Sequence, residues 1–235
     1  MASTIREEKK ALRKHIKELL GKIEEENVKE QCTVIVTRKV LQLPEYQHAK
    51  SVSVFLSMPG REVSTIEIVR DALRQGKQVF IPYIHSAQDD QKHKVMDMLR
   101  LQDEQDLQSL KPDKWGIPSL SPESIDKREN ALGGKGIDDS SDVSDSASIL
   151  DLILMPGMAF DTAHNRLGHG KGFYDTYLSK IHRITEASGK RPRFPKLVAL
   201  ALQEQLLPHG EHVPTDEDDW KIDCLVVPEQ IDQSS

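Results

Sequence analysis

The run from Asn165 to Asp175, NRLGHGKGFYD, holds the densest set of chemically useful residues in the sequence. Three of its glycines alternate with other residues, and glycine lets backbone N–H groups turn towards one point while a ligand approaches closely. Arg166 and Lys171 add two positive charges. The pattern after the run predicts a helix, whose N-terminus attracts anions. These features predict a phosphate site, because a simple glycine-rich turn would need the glycines but not the two cations.

The run differs from two common nucleotide-binding motifs. The chain contains no G-x-x-x-x-G-K-[ST] sequence, and Phe173 stands where a G-x-G-x-x-G fingerprint has its last glycine. A second glycine cluster, Gly133–Gly136, lies in an acidic stretch with no strand before it. We interpret that cluster as a linker.

Several carboxylates and lysines lie where they could assist phosphate chemistry. Asp175 is predicted on the first helical turn, where a carboxylate beside phosphates can hold Mg²⁺. Asp216–Asp219 could supply another ligand or form a solvated turn, and Asp175 could simply begin a helix. Lys9–Arg13 could contact phosphates or be an ordinary basic helix face. His209 and His212 lack a third ligand nearby, so we expect no metal there.

Composition limits the class of protein. The chain has 235 residues with a net charge of −6 and no apolar run near the roughly 18 residues of a membrane span. We therefore expect no membrane segment and no broad nucleic-acid face. Two cysteines far apart, Cys32 and Cys224, argue against a disulfide framework or thiolate zinc site. A cytoplasmic location is the expectation that follows.

Helical and strand patterns alternate along the chain, which predicts an α/β fold with helices on both sheet faces. Apolar residues from Leu12 to Ile23 recur on one helix face. Further helices are predicted over 27–43, from Ser64 or Thr65 to Gly76, and after 172. Strands are predicted at 51–57, at 79–81 where Pro82 halts the run, and at 95–101, 150–155, 196–202 and 225–227. The first two strands should pair in parallel through a helical crossover.

Residues 121–149 are rich in Ser, Asp and Gly and show no periodicity. They carry seven acidic and three basic residues, so this stretch alone has a net charge of −4. Such composition buries little apolar surface. We therefore predict a disordered acidic insertion within a single domain spanning 1–235.

The sequence resembles the 5-formyltetrahydrofolate cyclo-ligase family, also called methenyltetrahydrofolate synthetases. The strongest match joins Met155–Asp161 (MPGMAFD) to the Asn165–Asp175 run. Weaker matches follow in family order over nearly the whole chain: Lys9–Arg13 (KKALR), Phe55–Met58 with Glu62, Trp115–Pro118 (WGIP) and Asp219–Asp223 (DWKID).

The resemblance implies a monomeric enzyme with a three-layer α/β/α fold around a mostly parallel central sheet. It implies ATP as co-substrate and Mg²⁺ as cofactor in converting (6S)-5-formyltetrahydrofolate to 5,10-methenyltetrahydrofolate, ADP and phosphate. ATP would transfer its γ-phosphoryl group to the formyl oxygen, and N10 of the same folate would attack the formyl carbon.

The same resemblance assigns residues by position. Catalysis falls to Arg166, Lys171 and Tyr174, and Mg²⁺ to Asp175 and Asp219. ATP contacts are implied for Lys9, Lys10, Ala11, Leu12, Arg13, Arg166, Leu167, Gly168, His169, Gly170, Lys171, Gly172, Phe173 and Tyr174. Folate contacts are implied for Leu56, Met58, Glu62, Trp115, His169, Gly170, Lys171, Gly172 and Phe173. Trp115 could stack on the pterin or anchor the core.

The sequence departs from the family pattern in places. The Met58–Glu62 loop is one residue longer than the usual form, and His169 and Phe173 stand where relatives often have Arg or Tyr, and Tyr. Two other functions stay open at this stage. One is a folate- or nucleotide-binding relative without catalysis, and the other is a sugar-phosphate enzyme on a similar fold.

Overall fold

The computed structural model describes residues 4–87, 92–137, 150–187, 194–229 and 231–233. Its α-helices are α1 (Ile5–Leu20), α2 (Glu25–Glu30), α3 (Thr37–Gln42), α4 (Pro44–His48), α5 (Ile66–Arg74), α6 (Glu104–Ser109) and α7 (Phe173–Ala187). A π-helix, Gln31–Val36, joins α2 to α3, and 3₁₀ turns span Pro122–Lys127 and Gln203–Gln205. Its strands are β1 (Ser51–Val54), β2 (Gln78–Ser86), β3 (Lys94–Leu101), β4 (Lys111–Pro112), β5 (Pro118–Ser119), β6 (Leu152–Met155), β7 (Ala159–Phe160), β8 (Arg166–Leu167), β9 (Lys196–Leu200), β10 (Cys224–Val226) and β11 (Ile231–Gln233).

Seven of these strands form one sheet in the order β11-β10-β9-β6-β1-β2-β3. The four inner pairs, from β10–β9 to β1–β2, are parallel. The two outer pairs, β2–β3 and β10–β11, are antiparallel. The mostly parallel sheet, with β1 and β2 paired in parallel, confirms the fold class predicted from the sequence.

The sheet is buried on both faces because successive side chains of a strand point to opposite sides. In β6, Leu152 and Leu154 pack with α3, α4 and α5 in one hydrophobic cluster, while Ile153 and Met155 pack with α7 in another. Tyr177 is one of the α7 residues in that second cluster. Two-sided burial explains why the central strands read as continuous apolar runs.

The carboxyl ends of β1, β6 and β9 meet at one edge of the sheet, as parallel strands require. Helix α1 lies across the loops at this edge and not on a sheet face. Its Ile16 is buried with Ala159, Leu167, Leu207 and Val213, which all follow β6 or β9 in the chain. The basic N-terminal helix is therefore fixed against the same loops that carry the glycine-rich run.

The predicted end of the second strand was wrong. Strand β2 does not stop at Pro82 but continues to Ser86, with Pro82 paired to Met98 of β3. Proline is tolerated because the pairing of β2 with the short β1 ends at Phe80, so the backbone at Pro82 has no second strand to bond. The start predicted for α5 is close to the observed one: Thr65 is the residue before the helix, and its hydroxyl donates to the Phe55 carbonyl oxygen at 2.5 Å and not to the helix.

The predicted disorder of 121–149 is wrong for residues 121–137. Ile125, Ala131 and Leu132 are buried against the sheet edge. The Ala131 amide donates to the Met98 carbonyl oxygen at 2.9 Å, so this segment extends the sheet beyond β3. The predicted linker Gly133–Gly136 is a tight turn within it. Residues 138–149 lie outside the described ranges.

None of the helices within the described ranges reaches the length and low polarity that a bilayer-spanning segment requires.

Candidate active site at the carboxyl edge of the sheet

The glycine-rich run forms a loop between β8 and α7, as predicted. Gly170 and Gly172 have φ angles of 88° and 67°, in the left-handed region that favours glycine. A Cβ atom at Gly170 would lie 3.2 Å from Cζ of Arg13. The absence of a side chain therefore lets a guanidinium group lie directly against the loop.

Helix α1 directs one basic residue at this loop and another at two carboxylates of a second loop. Arg13 donates from Nε to the Gly168 carbonyl oxygen at 2.8 Å. Burial lowers the pKa of Arg13, and the charges of Asp219 and Asp175 oppose that shift, so both carboxylates lie close to this guanidinium. Lys9 lies one turn earlier and donates to Asp216 Oδ2 at 2.6 Å and Asp219 Oδ2 at 2.5 Å.

The other residues of α1 that were predicted to contact the nucleotide do not point at the glycine-rich loop. Lys10 and Ala11 are exposed, and Leu12 packs against the cluster around Ile16. The alternative of an ordinary basic face therefore fits Lys10 but not Lys9 or Arg13.

Arg166 is the buried cation of the site. Its Nη2 donates to Asp175 Oδ1 at 2.9 Å, and its Cζ lies 5.6 Å from the ring centroid of Tyr174. Two buried polar atoms here, Arg166 Nε and the Tyr174 hydroxyl, have no hydrogen-bond partner within the described ranges. Burial raises the pKa of Tyr174, so its phenol is neutral at physiological pH. Unpaired buried donors of this kind are costly without a ligand or water.

Lys171 differs from the other cations of the loop. It is exposed at the turn before α7, and no ion-pair partner of its ammonium group is found among the described residues. Its flexible side chain can therefore reach a negatively charged group bound over the loop.

The two predicted metal ligands, Asp175 and Asp219, both lie close to Arg13. Asp175 is on the first turn of α7, and its Oδ1 lies 3.5 Å from the backbone nitrogen of Trp220, next to Asp219. No group of three or more His, Cys, Asp or Glu side chains in the described part of the chain could hold a metal ion. Because Mg²⁺ often takes one or two carboxylates together with phosphate oxygens and water, this pair fits a metal that binds with phosphates.

The predicted folate residues come from three separate loops. Glu62 accepts the Met58 backbone N–H at 2.7 Å through Oε2, and its Oε1 lies 3.3 Å from His169 Nε2. The loop after β1 is thus joined to the glycine-rich run. Leu56 is buried at the start of that loop.

Trp115 lies beside the same loop and is 58% exposed, so the alternative of a core anchor is wrong. A Cβ atom at Gly116 would lie 3.5 Å from the Pro59 ring, which places the tryptophan turn against the loop after β1. Lys114 Nζ lies 4.1 Å from the Trp115 ring centroid. An exposed aromatic ring beside the loop after β1 suits a flat ligand.

Sequence reasoning did not single out the role of Asp161. This carboxylate is fully buried and accepts N–H bonds at 2.9–3.0 Å from the backbone of Ala163, Asn165 and Val213 and from the Asn165 side chain. It joins the loop before Arg166 to the loop that carries Asp216 and Asp219. The available signals were its position directly after an apolar run and at the end of the Met155–Asp161 stretch that resembles the family.

A second missed group lies beside α7. Asp97 is buried on β3, and its Oδ2 lies 2.8 Å from His85 Nε2, while Lys180 Nζ lies 3.8 Å from Oδ1. Burial, together with the charges of Asp97 and Tyr174, raises the pKa of Tyr177. Asp97 and Tyr177 therefore place further buried polar groups between α7 and the sheet, near Tyr174.

Comparisons with known proteins identify relatives of the chain. The model of the 5-formyltetrahydrofolate cyclo-ligase family matches residues 5–228. The chain is 37% identical over 222 residues to the mouse 5-formyltetrahydrofolate cyclo-ligase, covering 94% of each chain. It is 34% identical over 223 residues to a probable 5-formyltetrahydrofolate cyclo-ligase of Schizosaccharomyces pombe, covering 95% of this chain and 96% of the other.

Two solved structures share the fold. The NMR structure of Aquifex aeolicus 5,10-methenyltetrahydrofolate synthetase matches with a TM-score of 0.61 at 23% identity, covering 96% of this chain and 92% of that one. A 5,10-methenyltetrahydrofolate synthetase from Mycoplasma pneumoniae matches with a TM-score of 0.56 at 17% identity, covering 93% and 97%.

Proposed function

The chain belongs to the 5-formyltetrahydrofolate cyclo-ligase family, and we propose that it closes 5-formyltetrahydrofolate to 5,10-methenyltetrahydrofolate at the expense of ATP, with Mg²⁺ bound. The arrangement that supports this proposal is the glycine-rich loop with Arg13, Arg166 and Lys171 around it. Three cations facing one loop at a helix N-terminus suit a triphosphate.

The reaction needs an activated oxygen because a formamide oxygen is a poor leaving group. An oxygen–phosphorus bond forms between the formyl oxygen and the γ-phosphorus of ATP, and the bond from that phosphorus to ADP breaks. N10 of the same folate then attacks the formyl carbon. The carbon–oxygen bond breaks, phosphate leaves, and N10 loses its proton.

The protein's part is mainly alignment and charge stabilisation. Arg166 is held by Asp175 and is therefore oriented before substrates bind. Lys171 is free to follow the transferred phosphoryl group. The neutral phenol of Tyr174 can donate a hydrogen bond without adding charge.

Asp175 and Asp219 would hold Mg²⁺, which would supply positive charge to the phosphate oxygens. Since Asp219 is bound by Lys9 and Asp175 by Arg166, each carboxylate is already oriented by a cation. The two pairings hold both carboxylates in fixed positions, where they could take a metal together with phosphate oxygens.

The folate would lie between the loop after β1 and the glycine-rich run. Trp115 would offer its exposed ring to the pterin, and the Glu62–His169 pair would offer hydrogen-bonding groups. This placement puts the formyl group near Arg166 and Lys171.

The direct test mixes the protein with 5-formyltetrahydrofolate and Mg·ATP. The product contains a conjugated amidinium that the substrate lacks, so near-ultraviolet absorbance should rise while ADP and phosphate appear in equal amounts. A mixture with a non-hydrolysable ATP analogue is the control. Binding of both ligands without the rise would favour a relative that has lost catalysis and would refute the proposal.

A further inference from the structure

A second cleft, lined mainly by charged residues, lies at the edge of the sheet opposite the glycine-rich loop. It encloses about 280 Å³ and is lined by Arg100, Gln102, Lys127, Glu129 and Lys135. Because β3 runs antiparallel to β2, its last residues pair with the first residues of β2. The cleft therefore lies at the amino edge of the parallel strands, and the glycine-rich loop lies at the carboxyl edge.

The wall of the cleft is built by the turn that sequence analysis interpreted as a linker. The Arg100 amide donates to the Glu129 carbonyl oxygen at 2.8 Å, and the Gly136 amide donates to the Arg128 carbonyl oxygen at 2.8 Å. Between these bonds the chain reverses through glycines with positive φ, and Glu129 pairs with Lys135 across the turn. The turn thus returns Lys135 to the side of Arg100.

The lining is positively charged. Arg100, Lys127 and Lys135 face a single carboxylate, that of Glu129, so the lining side chains carry a net charge of +2. The nearby Asp106 does not neutralise them, because both of its oxygens bind Arg128 at 2.6 and 2.7 Å.

Arg100 has an N–H donor that could bind a ligand. Its Nη1 is buried without a hydrogen-bond partner among the residues that the structure describes, and the nearest carboxylate oxygen, Glu129 Oε2, is 3.8 Å away. Its Cζ lies 5.5 Å from the Phe80 ring centroid, which fixes the guanidinium plane. A fixed guanidinium fork is the group that binds phosphate and carboxylate oxygens best.

We propose that this cleft is a second oxyanion site, which binds a phosphate group or a carboxylate at Arg100 with Lys127 and Lys135 beside it. Its volume is below the usual range for drug-sized ligands, so the ligand is a small anion or the end group of a larger molecule. The site is independent of the reaction proposed above.

The test titrates the nitrogen-15-labelled full chain with inorganic phosphate and follows backbone amides by NMR. Phosphate is also a product of the proposed reaction, so the Lys171→Ala variant serves as background to weaken binding at the glycine-rich loop. Amides of 127–135 should shift saturably in this background. When Lys127→Gln and Lys135→Gln are added to the Lys171→Ala variant, the phosphate affinity measured from the shifts of these amides should fall about tenfold or more.

A matched control is Lys22→Gln/Lys50→Gln, which removes the same charge from two exposed lysines outside the cleft. It should leave the affinity unchanged. A parallel titration with succinate distinguishes a phosphate ligand from a carboxylate ligand. Shifts with phosphate alone indicate a site for phosphate groups, and shifts with both anions indicate a site for small oxyanions in general. The proposal fails if no saturable shift occurs, if sodium chloride of equal ionic strength reproduces it, or if the cleft variant and its control behave alike.

Discussion

The four basic side chains around the glycine-rich loop differ in what holds them. Arg166 is buried and paired with Asp175, Arg13 is half-buried and bound to a backbone carbonyl oxygen, and Lys9 lies between two carboxylates. Lys171 is exposed. Three of the cations are therefore part of the folded framework, and their removal would disturb structure as well as chemistry. Lys171 can be removed with the least structural cost.

We expect Lys171→Ala to lower kcat/KM for ATP by about 10²–10³, the usual cost of losing one preorganised charge-stabilising group. The free energy of unfolding should change by less than about 0.5 kcal/mol, because an exposed side chain is lost. The absorbance assay and urea unfolding measure the two effects. Lys14→Ala, on the exposed side of α1, is the control. Full activity of the Lys171 variant would refute its assignment.

Lys9→Met should alter the pH dependence of stability. Burial lowers the pKa of Lys9, but the bonds and charges of Asp216 and Asp219 outweigh it and raise the pKa. The hydrogen bond from Lys9 lowers the pKa of Asp216, against a smaller opposing effect of burial. The pair therefore stabilises the fold above the unfolded pKa of aspartate, about 4, and below that of lysine, about 10.

The stability difference between wild type and Lys9→Met should be largest at neutral pH. It should shrink below about pH 4 as Asp216 becomes protonated, and again above about pH 10 as Lys9 loses its proton. Thermal unfolding across this range measures it. Lys10→Met, an exposed neighbour on the same helix, should show no such profile. A difference that grows on acidification would contradict the assignment of the pair.

Elements of the site that depend on local sequence patterns could be predicted, and those that depend on contacts between distant residues could not. The central strands were found because two-sided burial makes them apolar, and the loop was found because its glycines and cations are adjacent in sequence. The Lys9–Asp216 pair spans 207 positions, and no local pattern reveals such a contact. The ordered segment 121–137 was missed because hydrogen bonds to the edge of β3 and three buried apolar residues without periodic spacing, Ile125, Ala131 and Leu132, hold it.

Asp161 shows how one buried residue fixes two elements at once. We expect Asp161→Asn to cost about 2–4 kcal/mol, because an amide NH₂ would then face backbone N–H donors and leave them unpaired. The loops carrying Arg166 and Asp219 should lose their mutual position, so KM for Mg·ATP should rise more than kcat falls. Urea unfolding and steady-state kinetics measure these effects.

Asp218→Asn is the control for this substitution, since Asp218 is exposed in the neighbouring loop. It should change neither stability nor KM appreciably. Equal effects of the two substitutions, or a loss confined to kcat, would contradict a positioning role for Asp161.

At the scale of the whole molecule, the two edges of the sheet carry separate tasks. The carboxyl edge collects loops from three parallel strands under α1, and the amino edge carries the segment around Arg128 and Arg100. Arg128 anchors the segment 121–137 to the sheet edge. It donates to both carboxylate oxygens of Asp106, to the Arg100 carbonyl oxygen at 2.8 Å and to the Ser124 hydroxyl at 2.9 Å. Both partners of the ion pair are largely buried.

Removing one partner of a buried ion pair leaves the other uncompensated. We therefore expect Arg128→Met to lower the free energy of unfolding by about 3 kcal/mol. Burial alone would raise the pKa of Asp106, and the bonds to Arg128 and to the Gln102 amide reverse that shift, so the pKa of Asp106 should rise in the variant. Urea unfolding at neutral pH measures the loss, with Arg38→Met, an exposed arginine of α3, as control.

The Arg128→Met substitution should destabilise only the segment around Arg128. Amides of 129–136 should exchange hydrogen faster in Arg128→Met, because their bonds to one another and to β3 depend on this anchor. Amides of α7 should keep their protection, and turnover should stay within about twofold at temperatures where the variant is folded, since the site lies at the other edge. Unchanged exchange at 129–136, or loss of turnover in a fully folded variant, would contradict the separation of the two edges.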